Sequence, residues 1–152
     1  MSSDRPNPGP YLGAMMRVGW QFVWDQIFTS VHAAGYDDLN PAHIGAFRYP
    51  TLDRLRPTEL ADQLQITKQS VNDLLAHLEQ RGYVTREPDP SDGRARVIRL
   101  TPKGRRLERT VNSAAHAAEL EIAELLGPRE FSQLRHALEV LVREIATRSE
   151  HG

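Results

Sequence analysis

A mainly α-helical fold with one small β-hairpin is what this 152-residue sequence predicts. Three stretches carry the expectation. Thr58–Gln63 and a run from Thr67 to about Arg81 are two short helical patterns, joined by a tight break at Gln65-Ile66. On the second of them Val71, Leu74, Leu75 and Leu78 recur at i, i+3, i+4 and i+7, which makes one buried face. Next, Tyr83–Arg86 and Ala95–Leu100 are short and rich in β-branched or aromatic residues, and they flank the turn-forming run from Pro88 to Gly93. Helix, turn, helix and then a basic hairpin make a winged helix-turn-helix. Longer helices are expected to flank it at both ends.

In chain order, residues 1–10 (MSSDRPNPGP) are dominated by Pro, Ser, Asn and Gly and read as a flexible arm, with Arg5 too isolated to read a minor groove. From Tyr11 to Ala34 an apolar stripe of Leu12, Met16, Trp20, Val23, Ile27 and Val31 predicts a helix closed by Gly35. Met15, Gly19, Trp24 and Phe28 widen the stripe, so much of this helix must be covered. Leu39–Tyr49 predicts a shorter helix with Asn40 as N-cap, Pro41 in its first turn and Pro50 as its stop. Thr51–Arg56 is a connector with room for a short third strand beside the hairpin. Thr67 is placed to cap the second helix of the pair, and Gly82 to end it.

After the hairpin, Thr101-Pro102 opens a helix that runs to about Leu126 and breaks at Gly127-Pro128. The last helix places Phe131, Leu134, Leu138, Leu141 and Ile145 at alternating spacings of three and four, a narrow coiled-coil-like seam. The terminal helices are too apolar for the outside of a monomer, although an intramolecular bundle is the alternative.

Bulk properties exclude several classes. With no cysteine, disulfides, thiolate metal sites and cysteine redox switching are all ruled out. No apolar run reaches the roughly 20 residues that span a bilayer, so a cytoplasmic protein with no membrane partner is expected. The net charge of −1 conceals an asymmetry. From Arg81 to Arg106 there are eight basic and three acidic residues, a local +5, which leaves −6 on the remainder. A basic segment on an acidic body suits phosphate contact at one face.

Three runs in the core resemble the MarR family of bacterial transcriptional regulators. They are Leu78-Glu79-Gln80-Arg81-Gly82-Tyr83-Val84, then Asp89 to Arg96, then Leu100-Thr101-Pro102-Lys103-Gly104. The spacing D-x-R-x-R-x-x-x-L-T-x-x-G from Asp92 to Gly104 is the specific part. The resemblance implies a homodimeric regulator bound to double-stranded DNA, commonly released by a small aromatic or phenolic molecule. It divides the chain into the arm at 1–10, a helical dimerisation region at 11–35 and 102–149, and a DNA-binding domain at 36–101.

In the helix-turn-helix geometry the start of the second helix enters the major groove. That nominates Thr67, Lys68, Gln69, Ser70, Asn72, Asp73 and His77 for DNA contact. Gln and Asn pair bidentately with adenine, Lys with guanine or phosphate, and Asp accepts from cytosine. On the wing, Arg94 is placed for a narrow minor groove and also matches the family's wing arginine. Asp92 is expected to hold the tip, and Arg86, Arg96 and Lys103 to meet phosphates.

Trp20, Trp24, His32, Tyr36, His43 and Phe47 are the candidate lining of an effector pocket, by analogy with the family. Neither a phosphate-binding loop, a nucleophile elbow nor a zinc-protease motif occurs, so neither an enzyme nor a cofactor is expected. The six histidines lack paired metal spacing, and no metal site is expected. The rival function is a winged helix that contacts only protein, for which the arginines of the wing would have no use.

Overall fold

A computed structural model describes residues 9–48 and 50–150. Most of the expected arm, with Arg5, lies outside the described residues, as does Tyr49. The elements run α1 (Leu12–Ala33), α2 (Pro41–Gly45), α3 (Pro57–Leu64), α4 (Lys68–Gln80), β1 (Val84–Asp89), β2 (Asp92–Leu100), α5 (Pro102–Leu126) and α6 (Pro128–Glu150). The structure is mostly helical with one antiparallel hairpin, as predicted. It forms two compact units whose boundary falls inside α5, between Ala115 and His116.

In the first unit the α4 face of Val71, Leu74, Leu75 and Leu78 is buried against Leu60 of α3 and Ile98 of β2. The turn between α3 and α4 works because Gln65 adopts a left-handed conformation (φ 57°) and Ile66 N–H bonds back to the Ala61 carbonyl at 3.0 Å. Thr67 then caps α4, its Oγ1 accepting from Ser70 N–H at 3.1 Å. At the other end Gly82 (φ 78°) lets Tyr83 N–H reach the Leu78 carbonyl at 2.9 Å.

Three expectations need correction. Helix α2 stops at Gly45 rather than Tyr49. Beyond it the bonds tighten to three-residue spacing (Phe47 N–H to Ile44 O, 3.0 Å), which places Phe47 beside Ile44 in the core. Asn40 caps this helix as expected, accepting from His43 N–H at 3.0 Å. The hairpin strands run longer than the composition suggested, to Asp89 and from Asp92, with Pro88 paired opposite Arg96. A proline is tolerated there because β1 has no neighbour on its outer side, so no ladder donor is lost.

The connector adds no third strand. Arg54 N–H donates to Ile98 O at 2.7 Å and Ile98 N–H to Leu55 O at 2.8 Å, but the left-handed Arg54 (φ 70°) turns the chain away and the sheet stays two-stranded. Within this chain the α1 stripe is covered at its C-terminal end. Ile27 and Val31 enter the core at 2% and 0% exposure, whereas Leu12 and Met16 remain 64% and 43% exposed.

The second unit holds the end of α5 and all of α6, hinged at Gly127 (φ 83°) before Pro128. Arg135 of α6 ion-pairs with Glu119 of α5 and with Glu139 one turn on. None of the α6 side chains is buried, and the predicted seam of Leu134, Leu138, Leu141 and Ile145 stands exposed. No described helix is long and apolar enough to cross a membrane.

Candidate nucleic-acid interface

The first two turns of α4 present Lys68, Gln69, Ser70, Asn72 and Asp73 to solvent. Their polar groups are unequally free. Thr67 and Ser70 are engaged in the cap, where the Thr67 hydroxyl also donates to Ser70 Oγ at 2.9 Å. Gln69 Nε2 donates to Asp73 Oδ1 at 3.2 Å. Lys68 has no carboxylate partner among the described residues. His77 is turned inward: its Nε2 lies 3.2 Å from the Asp38 carbonyl and its ring stacks on His43 at 3.9 Å.

The wing is braced at its base and open at its tip. Asp89 accepts from Ser91 N–H (2.9 Å) and Ser91 Oγ (2.8 Å) inside the turn, and from Arg56 Nε (2.9 Å) and Nη2 (2.8 Å) at the start of α3. These bonds, those from Ser91 foremost, hold its carboxyl down at about 2. Asp92 Oδ1 accepts from Arg94 N–H at 3.1 Å, which shapes the tip.

Among the eight basic residues from Arg81 to Arg106, four are neutralised locally. Arg81 pairs with Asp38, Arg86 with Glu79, Arg99 with Asp53 and Glu87, and Arg105 with Asp53. Lys103 is engaged differently, donating to the Arg81 carbonyl at 2.8 Å with its ammonium 4.3 Å from the Tyr83 ring centre. Arg94 and Arg96, both on the exposed wing, therefore carry positive charge that no described carboxylate cancels.

Two clefts open in the same unit. One of about 470 Å³ is lined by Trp20, Val23, Ile27, Arg48 and Val111, and one of about 200 Å³ by Trp20, Trp24, Arg48, Leu64 and Ile66. Arg48 stands at both. Its guanidinium lies 5.1 Å from the Trp20 ring centre and 5.6 Å from that of Trp24, and its Nε donates to the Gly45 carbonyl at 3.0 Å. Burial without a carboxylate partner lowers its pKa from the ordinary arginine value.

Of the six residues nominated from the sequence, Trp20 and Trp24 line these clefts. His32 instead bonds the Leu39 carbonyl (3.1 Å), Tyr36 packs on Tyr83, His43 serves the α2 cap, and Phe47 is core. Arg48 was missed, since a lone arginine after a core phenylalanine has no local signal. Among the described residues no three His, Asp or Glu side chains converge as a metal site would require.

Comparison with known proteins extends this geometry. Residues 38–95 match the model of the MarR family. The chain is 27% identical over 115 residues to the transcriptional activatory protein BadR of Rhodopseudomonas palustris, covering 75% of this chain and 65% of that one. It is 34% identical over 87 residues to the HTH-type transcriptional repressor Rv2887 of Mycobacterium tuberculosis, covering 55% of this chain and 63% of that one. The matches thus span just under two thirds of the length of these curated relatives.

Among solved structures, Rv2887 in complex with DNA superposes with a TM-score of 0.67 at 23% identity, over 88% of this chain and 98% of that one. Rv2887 has also been solved with salicylic acid. The regulator Tm0710 of Thermotoga maritima matches at TM-score 0.61 and 25% identity, over 92% and 96%. The motif spacing, the hairpin placed directly after a capped α4, the family match over residues 38–95 and these superpositions agree: the chain has the winged helix-turn-helix fold of these MarR-family structures, and its similarity to the family centres on that core.

Proposed function

We propose that the protein is a sequence-specific transcriptional regulator that binds double-stranded DNA as a homodimer, acts as a repressor, and is released by a small aromatic acid. The observation that carries the reading is the distribution of free charge. Lys68 opens α4 and Arg94 and Arg96 lie on the wing, all exposed and without a carboxylate partner among the described residues, as is Arg106 at the start of α5, while Arg81, Arg86, Arg99 and Arg105 are paired with carboxylates and Lys103 bonds a carbonyl. Such a pattern suits a helix in the major groove and a wing arginine in the minor groove. A wing built only for protein contact gains nothing from it. The Rv2887–DNA complex supports the same placement by likeness of fold.

In this reading residues 36–101 are the DNA-binding domain and the helices at 11–35 and 102–149 form the dimer. The exposed leucines of α6 and the open N-terminal half of α1 are apolar surfaces that a second copy would cover. Two winged domains related by a two-fold would read half-sites about 10 base pairs apart. Such a protein works in the cytoplasm, where its operator is.

For the effector, Arg48 supplies a half-buried cation against two indoles, which suits a carboxylate on an aromatic ring. The salicylic acid complex of Rv2887 supports that chemistry. Release would follow from a population shift toward a spacing of the α4 helices that no longer fits the operator.

The test is binding to the DNA upstream of the protein's own gene, with competitor DNA and at several salt concentrations. Specific, salt-sensitive binding by a dimer is expected. Binding without preference over competitor would move the function to protein contact alone.

A further inference from the structure

Asn72 stands on the exposed face of α4, and a free asparagine amide offers both a donor and an acceptor. Here the acceptor already takes one hydrogen bond. Arg86 reaches from β1 across α4: its Nη1 donates to Asn72 Oδ1 at 3.2 Å and its Nη2 approaches the Asn72 carbonyl at 3.4 Å. Its Nε donates to Glu79 Oε1 at 2.5 Å. Residues 72 and 79 lie two turns apart on one helix face, so a single planar guanidinium spans both. The amide NH₂ of Asn72, the other branch of the same plane, has no partner among the described residues.

The consequence concerns base choice. Reading adenine bidentately takes a donor to N7 and an acceptor for the N6 amino group at once. With one of its two lone pairs given to a guanidinium the oxygen is the weaker of the two groups, and the free NH₂ matches the N7 and O6 acceptors of guanine. We propose that Arg86 is a positioning residue that biases Asn72 away from bidentate reading of adenine toward a donor contact selecting guanine at one position of each half-site. The assignment rests on the DNA-binding reading above. It also accounts for a wing-strand arginine that is diverted from phosphate.

The experiment is selection from a randomised operator library by the full-length protein, comparing wild type, Arg86→Met and Asn72→Asp, with thermal melting of each. Wild type is expected to prefer guanine at the contacted position. Arg86→Met frees the amide and should move that preference toward adenine by about tenfold, the discrimination one bidentate pair supplies. Asn72→Asp keeps an acceptor for Arg86 but has no donor, so the guanine preference should fall by about the same factor. Should Arg86→Met prove unfolded, Asn72→Asp decides the matter.

Affinity lowered evenly for all sequences, with the wild-type preference intact, would make Arg86 a mere brace and overturn the proposal. A wild type that already prefers adenine there would do the same. A wild type that selects no sequence at all would overturn the DNA-binding reading itself, and this assignment with it.

Discussion

A Cβ added at Gly104 would stand 2.1 Å from the carbonyl oxygen of Tyr83. That carbonyl cannot give way easily, because it accepts from Thr101 N–H at 3.1 Å, and Thr101 Oγ1 in turn accepts from Gly104 N–H at 3.1 Å. The Leu-Thr-x-x-Gly run is thus a clasp that fastens the start of α5 to the end of α4. Gly104→Ala should destabilise the protein by about 1–3 kcal/mol, the usual range for overpacking a tight site. Urea unfolding of the two proteins measures it; equal midpoints would refute the clasp.

Arg94→Ala should weaken specific DNA binding and flatten the plot of log affinity against log salt by about one unit, the share of a single neutralised phosphate. The Asp92–Arg94 backbone bond does not involve the guanidinium, so the tip geometry should survive the change. Titrations at a series of salt concentrations read both quantities. An unchanged slope would remove Arg94 from the phosphate-rich groove.

Arg48→Met should abolish the response to salicylic acid, measured as the ratio of DNA affinities with and without the ligand. Methionine keeps the packing against Trp20 and Trp24 and deletes the cation. A full response in the variant would place the effector elsewhere.

Acid should loosen α2 through His43. Burial, first, and then the charges of His77 and Arg81 hold its pKa below 6.5, with Asp38 opposing them. Its Nδ1 accepts from Asn40 N–H at 3.1 Å, which a protonated ring cannot do. A depressed folded-state pKa means that the unfolded chain binds more protons. The stabilisation is therefore complete above 6.5 and is lost as pH falls through the lowered folded value. His43→Gln keeps an acceptor at the third helical position without titrating, so unfolding free energy should depend less steeply on pH below 6.5. Identical profiles for both proteins would exclude His43 as the cause.

Leu138→Lys in the exposed seam of α6 should shift the protein from dimer to monomer in analytical ultracentrifugation and reduce operator affinity with it. Leu138 is 38% exposed, so a lysine there can carry its ammonium into solvent and the isolated chain should keep its fold. A variant that remains dimeric would send the interface to another surface.

The α3–α4 pair, its caps, the hairpin and the long α5 were legible because each has a local cause. The α4 apolar residues repeat at helical spacing, Thr67 and Gly82 sit where caps belong, and turn residues separate the strands. The ends of α2 and of both strands were not legible. They depend on whether Phe47 finds the core and whether Pro88 lies on an unpaired edge, and both are properties of neighbours distant in sequence.

The same division runs through the interface. Composition and pattern alone determined that a basic wing follows a capped, polar-faced helix, since charge, periodicity and turn chemistry are written residue by residue. Only the tertiary structure decided which cations are free. Arg86, Arg99 and Arg105 meet Glu79, Asp53 and Glu87, whereas Arg94 and Arg96 reach past every described carboxylate. It also stacked the His43 and His77 rings, set Phe47 in the core, and laid Arg48 against two tryptophans more than twenty positions away. Electrostatic pairing depends on distance in space, and a sequence specifies distance only along the chain.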